Sequence, residues 1–340
     1  MSVVLSGPPA QPGDDLDVPR PVSPGLPPAD RLFHGGSRVV GAVVLVITGS
    51  IGLFLFLQLL PTLRSYGVHF FTQANWSPQI AEVGIAAAVV GTILVASIAL
   101  AVSVPLALLT ALYITEYAPR WLKGPMVSLI DLMAAIPSIV YGIWGFFLLQ
   151  PIAMQVSRWL SQYLAFFPPF QVATDPSAPN IQLLPHYGSS TAIAGVVVAM
   201  MALPMACAVM RGVFAQAPAG EREGALALGA TRWGVIRSVV LPFGRGGIIG
   251  GTMLGLGRAL GETIAVAVII SPNYIINFNV LQTGSITIPS LIALRFPEAS
   301  PGELSNLLAA GFVLFVLTLV VNLIAAVFIT RSRSGAATEI

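Results

Sequence analysis

Charge is what this chain has least of. Only 9% of its 340 residues are Asp, Glu, Lys or Arg, where a soluble domain usually carries about 25%. A deficit of that size excludes a surface built mainly for water. Lysine is nearly missing, since Lys123 stands alone beside the arginines. It is followed by Gly124 and Pro125, so no phosphate-cradling G-x-x-x-x-G-K-[ST] loop exists and ATP hydrolysis by that device is excluded. Cysteine is reduced to Cys207 in an apolar stretch, which rules out an internal disulfide and a multi-cysteine metal site. His34, His69 and His186 fall in separate segments and support no metal centre. The net charge is only +2 and the basic residues are scattered, which argues against a nucleic-acid partner. No signal peptide is expected either, because the first apolar run, 39–60, is longer than a typical h-region.

What the chain has is apolar length. Hydrophobic residues make up 56% and the mean hydropathy is +0.86. Six stretches, about 39–60, 84–114, 126–149, 191–210, 247–270 and 305–329, each reach the roughly 20 residues that cross a bilayer core. Peptide groups in hydrocarbon must bond within their own segment, so the spans are helices. The expected fold is all-α, a polytopic membrane bundle of six transmembrane helices. Pro105 inside the second span predicts a kink or a tilted entry.

Residues 1–38, rich in proline at their start, read as a disordered tail ahead of the first span at 39–60. Near the spans, eleven basic residues from Arg31 to Arg333 fall on one side and three, Arg64, Arg158 and Arg295, on the other. The positive-inside rule then places both termini in the cytoplasm. Two long outer loops remain. In 150–190, Ile152, Val156, Trp159, Leu160, Tyr163, Leu164 and Phe167 recur at helical spacing, as for an amphipathic helix at the membrane surface. In 271–304 the apolar run 286–294 is too short to span; it is either re-entrant or a short helix packed on the bundle.

The inner loop 218–242 carries the clearest local grammar. Pro218 suits the start of a helix, and Glu221 and Glu223 put negative charge at its N-terminal end. Gly229 suits the left-handed position that closes it. Thr231 then caps a second helix, which Pro242 is expected to end. Helices this short are marginal alone in water and want a surface to dock on.

This loop resembles the signature loop of the membrane subunits of type I ABC importers. The matching positions are Glu223, Gly224 and Ala225, then Leu228, Gly229 and Ala230, then Val239, Leu241 and Pro242; Gly224 stands where Ala is usual and Val239 where Ile is usual. The resemblance implies that the loop inserts into a cleft of a separate ATP-binding subunit. ATP and Mg would be bound by that partner, and no cofactor by this chain.

Two charges lie inside the fifth span, Arg258 near its centre and Glu262 four residues on. A charge at mid-membrane costs roughly 2.5–3.5 kcal/mol on insertion scales. Two readings stand side by side. In one, Arg258 attracts an anion, its planar fork matching oxyanion geometry, while Glu262 holds the guanidinium until the anion arrives. In the other, the two form a structural ion pair between helices. Gly255, Gly257 and Gly261 leave room for a neighbouring helix or a ligand. Asp131, near the inner end of the third span, reads as snorkelling or paired with an inner-loop arginine.

The string Gly255 to Thr263, together with Ile136 to Gly142 in the third span, is similar to the phosphate-specific permease pair of the Pst importers, and more to its PstC type than to its PstA type. This resemblance covers roughly residues 84–330, the ABC permease core. It implies a bacterial inner-membrane channel for phosphate, shared with a PstA-like second permease. A dimer of a PstB-like ATPase would dock below, and a PstS-like binding protein would deliver phosphate from outside. Membrane lipid is the remaining partner. Arg258 and Glu262 then match transport-path residues, and Pro137 and Ser138 match the third-span motif. Ser138 either donates its hydroxyl to a phosphate oxygen or merely bends the helix with Pro137. Another oxyanion such as sulfate or phosphonate is the near alternative, and an ion-coupled carrier the distant one. The chain itself is expected to catalyse no reaction.

Overall fold

The computed structural model describes residues 28–78, 82–172 and 187–332. The tail expected over 1–38 lies outside the described residues as far as residue 27, and from Pro28 onward the chain is already helical. The chain divides into two units, Met1–Ile51 and Gly52–Ile340. The first holds the greater part of helix α1 (Pro28–Tyr66). Its apolar side chains, among them Val39, Val43 and Ile47, are exposed, as suits lipid contact.

The second unit contains the end of α1 and all later elements. A short helix α2 (His69–Thr72) and a two-stranded ribbon, β1 (Trp76–Ser77) against β2 (Glu82–Val83), lead into α3 (Ala86–Leu112). Helix α3 ends in a widened turn, Tyr113–Tyr117. Then come α4 (Arg120–Ala135), α5 (Ser138–Trp144), α6 (Gln150–Tyr163) and α7 (Thr191–Phe214). The inner loop forms α8 (Ala219–Ala227) and α9 (Arg232–Val235). Helices α10 (Leu241–Gly261), α11 (Ile264–Ile269), α12 (Ile288–Arg295) and α13 (Pro301–Ser332) complete the chain.

Among the described residues six helical stretches are long and apolar enough to cross a membrane: Leu32–Tyr66, Ala86–Tyr117, Ser138–Tyr163, Thr191–Phe214, Arg232–Gly261 and Pro301–Val327. The all-α, six-helix expectation holds, with three corrections. The third stretch is not one helix over 126–149. It breaks at Ile136 and Pro137, both extended, and then runs unbroken through 145–149 into the segment expected to lie on the membrane surface. Proline disfavours helical geometry in the residue before it, which is why the break falls there. The fifth stretch begins earlier than expected and stops at Gly261. Pro242 does not end the second inner-loop helix, since it sits in the first turn of α10. A wide turn over Ile236–Val240 precedes it, and such a bulge relieves the clash that proline otherwise makes with the preceding turn.

The core is built on small residues. Helices α3 and α7 lie side by side through Ala96, Ala99 and Ala107 on one and Ala194, Ala199 and Ala206 on the other, all buried. In lipid no hydrophobic force drives helices together, so close backbone approach supplies the attraction. Helix α10 packs on α7 by the same device: Gly244, Gly247 and Gly251 face Phe214, Val213 and the Ala206 carbonyl. The run 286–294 resolves to α12, a helix packed against α3 and α13 rather than a re-entrant loop. Thr287 and Ser290 form a capping box at its start, and the Ile288 amide donates to Thr92 Oγ1 at 2.9 Å.

This packing makes Gly251 and Gly250 unequal neighbours. A Cβ at 251 would lie 2.8 Å from the Ala206 carbonyl oxygen, whereas one at 250 meets only Val209 Cγ1 at 4.0 Å. Gly251→Leu should cost about 1–3 kcal/mol or more, seen as a lowered midpoint of thermal unfolding in detergent. Gly250→Ala should leave the midpoint unchanged or raised. The reverse ranking would contradict the α7–α10 contact.

Candidate functional site

The two sequence motifs fall on two interrupted helices, and the interruptions face each other. Helix α10 stops at Gly261; Glu262 takes an extended conformation (φ −68°, ψ 123°), and the chain turns helical again at Ile264. Helix α4 stops at Ala135, and α5 restarts at Ser138. Helix α5 packs along α11 so closely that a Cβ on Gly142 would lie 2.8 Å from Ala265 Cα. Tyr141, Ala259, Leu260, Ala265 and Val266 share one buried cluster there.

At these breaks three side chains bond backbone groups that the interrupted helices leave open. The Thr263 hydroxyl donates to the Gly261 carbonyl at 3.1 Å. The Ala265 amide donates to Glu262 Oε1 at 3.4 Å. Across the other break, the Tyr141 hydroxyl donates to the Met133 carbonyl at 2.9 Å, one of the four carbonyls that a helix end leaves open. Tyr141 and Thr263 were not singled out from the sequence. The signal lay in a hydroxyl placed a few residues from each break.

Arg258 and Glu262 do not form the expected intrahelical pair, and no ion pair joins them among the described residues. The helix ends between them, so the four-residue spacing no longer puts them on one face. Each is matched to a helix end instead. Arg258 lies in the last turn of α10, where the dipole is negative, and Glu262 lies just before α11, where it is positive. Glu262 is buried, at 8% exposure. Arg258 is half-buried, within electrostatic reach of Tyr141, and its buried Nε has no hydrogen-bond partner among the described residues. Gly257 and Gly261 beside it are exposed and open onto free space, whereas Gly255 sits in ordinary contact with Ala202. The arrangement leaves a cation with vacant donors on the open side of the bundle, which is what an oxyanion needs. Ser138 opens α5, half-buried, and Pro137 next to it is exposed. Asp131 is exposed on α4 and forms no ion pair among the described residues, so of its two expected readings the pairing with an inner-loop arginine is not met.

The inner loop folds as its sequence predicts at its turn. Gly229 has φ +84°. The Ala230 amide donates to the Ala225 carbonyl at 3.0 Å and the Gly229 amide to the Leu226 carbonyl at 2.9 Å, the paired bonds of a Schellman closure. Thr231 accepts from the Gly234 amide at 3.2 Å and caps α9. Helix α8 buries none of its residues, and Leu226, Leu228 and Trp233 are exposed, Leu228 at 91%. Glu223 and Gly224 are exposed on the same helix. Besides the packing of Ala225, Ala230 and Val235, the loop is held by a residue that sequence reading counted only as a charge. Arg222 pairs with Glu116 at 3.2 Å and donates to the Phe214 carbonyl at 2.7 Å, tying α8 to the ends of α3 and α7.

The comparisons with known proteins agree with this layout. The family model described as “Binding-protein-dependent transport system inner membrane component” matches residues 103–334. The chain is 39% identical over 303 residues to the phosphate transport system permease protein PstC of Xylella fastidiosa strain 9a5c, covering 89% of this chain and 91% of that protein. It is 35% identical over 314 residues to the protein of the same name from Mesorhizobium japonicum, covering 90% and 92%. Among solved structures it is similar in fold to a bacterial alginate ABC transporter in complex with an alginate pentasaccharide-bound periplasmic protein. There the TM-score is 0.52 and the identity 18%, over 87% of this chain and 96% of that one.

The Arg222 tether is testable by itself. The pair is partly exposed, 25% at Arg222 and 12% at Glu116. Removing it by Arg222→Met should therefore loosen the loop by only about 1–2 kcal/mol, discounted for solvent screening. Limited trypsin cleavage after Arg232 and Arg237 in open vesicles should accelerate roughly tenfold, with unfolding of the bundle unchanged. Equal cleavage rates would show that the loop does not depend on this tether.

Proposed function

The chain belongs to the family of binding-protein-dependent transport system inner membrane components, and from that premise we propose that it translocates inorganic phosphate into the cytoplasm as half of an ATP-driven channel. The observation that carries the reading is Arg258, a half-buried guanidinium in a membrane-spanning helix with no ion pair among the described residues and open space beside it at Gly257 and Gly261. A phosphate ion entering from outside exchanges its hydration for the Arg258 fork. Ser138, at the start of the facing α5, offers a hydroxyl on the same path. Glu262, held by the α11 amide end, keeps a negative charge near the site, which speeds release rather than tightening capture. The fit of Arg258 to an oxyanion holds equally for sulfate or phosphonate; the identity to the phosphate permeases favours phosphate.

The chain supplies no ATPase site of its own, and the energy is proposed to enter through the inner loop. Leu226, Leu228 and Trp233, exposed around the Gly229 turn, are the face offered to a PstB-like ATPase dimer. A PstA-like permease completes the channel, and a PstS-like binding protein docks on the opposite side. ATP and Mg belong to the ATPase. Eleven basic residues near the spans on the loop side against three on the other favour a bacterial inner-membrane protein with both termini in the cytoplasm.

Substitutions at the path separate an anion site from a structural lock. Arg258→Gln should abolish phosphate uptake with assembly intact, and Arg258→Lys should transport poorly, because a point charge cannot reproduce the fork. Glu262→Gln should assemble normally, since its amide oxygen still accepts from Ala265. The two sites should be additive in stability to within about 0.5 kcal/mol. Recovery of uptake in the Arg258→Gln, Glu262→Gln double variant would refute the anion-site role.

A second pair of variants tests the loop. Gly229→Val forces a β-branched residue to positive φ and should uncouple phosphate from ATP hydrolysis while the protein still reaches the membrane. Gly224→Ala meets nothing within 4 Å and should leave coupling unchanged. Normal phosphate-stimulated hydrolysis with Gly229→Val would remove the loop from the mechanism.

A further inference from the structure

A cavity of about 740 Å³ opens on the same side as the inner loop, apart from the Arg258 region, between the end of α3, the start of α4, the end of α7 and helix α8. Three cationic side chains from three helices line it: Lys123, Arg211 and Arg222. Glu116, beside Thr115 at its wall, is already committed to Arg222. Among the described residues Lys123 Nζ donates only to the Thr115 carbonyl at 3.0 Å, a neutral acceptor. The Arg211 side chain has no hydrogen bond or ion pair among the described residues, and Arg222 Nε is buried without a partner. Asp131 lies one turn further along α4, exposed and unpaired. The cavity therefore holds uncompensated positive charge with several vacant donors.

Its shape and setting select among anions. Gly124 and Gly212, on facing helices, open onto free space, so nothing narrows the entry. The floor is apolar, through Ile114 and Val127, and the volume is several times what an inorganic oxyanion needs. Tyr113, Tyr117 and Trp121, all exposed, sit at the same ends of α3 and α4, the kind of aromatic belt that marks a membrane–water boundary. Cation above, hydrocarbon below and aromatics alongside match an amphiphile whose head is a phosphodiester. We propose that this cavity is a binding site for the headgroup of an anionic phospholipid, with Lys123 and Arg211 as its principal contacts and Arg222 connecting it to α8.

The assignment stands apart from the transport reading, because lipid retention is measured with no transport or partner required. The full chain, purified in detergent and examined by native mass spectrometry, should retain phosphatidylglycerol in preference to phosphatidylcholine. The Lys123→Gln, Arg211→Gln variant should lose that lipid by about 25-fold, each cation near an anionic headgroup contributing roughly fivefold. Gly124→Leu, which keeps every charge and adds a helix-favouring side chain at an open position, should lose it as well, so the test does not hang on one variant folding. Millimolar inorganic phosphate should not displace the lipid. Equal retention by all three proteins would overturn the site. Displacement of the lipid by inorganic phosphate would overturn the lipid assignment and give the cavity to the free ion.

Discussion

A peptide group in hydrocarbon with no partner costs several kcal/mol, and that constraint decides where this bundle can be irregular. Both interruptions, at Pro137 and at Glu262, sit where another element can answer for the exposed backbone. Tyr141 reaches back to Met133, Thr263 to Gly261, and Glu262 forward to Ala265. The helices that restart after the two breaks also lie against each other, through Gly142 and Ala265. Irregular backbone at membrane depth survives only when buried in protein or lining a wet cavity. Here one flank of the break is buried, at Glu262, and the other is open, at Gly257 and Gly261. Interrupted helices are also how many transporters bring dipole ends to bear on an ion.

The same constraint explains why charges inside the span need not pair. A helix end carries about half an elementary charge. Arg258 sits at a negative end and Glu262 at a positive one, so each is stabilised without the other. An ion pair would have closed the Arg258 donors; the break keeps them open.

The number of spans, the closure of the inner loop by Gly229 and the cap at Thr231 were legible in the sequence, because each rests on local chemistry. Apolar length specifies a span, and only glycine adopts positive φ at low cost. What could not be read depended on tertiary partners. Pro242 looked like a terminator, but a wide turn before it lets the helix pass. The Arg258–Glu262 spacing implied one face, but the helix stops at Gly261. Pro137 was read as a possible bend, yet nothing in 126–149 announced that the chain would restart there and run on to Tyr163. The Glu116–Arg222 tether spans 106 positions, a distance at which sequence pattern carries no pairing information. The glycines divided in the same way: those at 244, 247 and 251 serve packing on α7, while 257 and 261 face open space, and the spacing alone did not separate the two groups.

The passage of the chain through Pro242 has a mechanical meaning. From Arg232 to Gly261 the helical path is continuous over 30 residues, about 45 Å at 1.5 Å per residue. One end abuts the Gly229 turn and the other carries Arg258. A rod of that length tilted by 5° about one end moves the other by ~4 Å, more than the length of a hydrogen bond. The loop and the guanidinium are thus two ends of one continuous helical path, and a tilt that starts at the first is carried to the second.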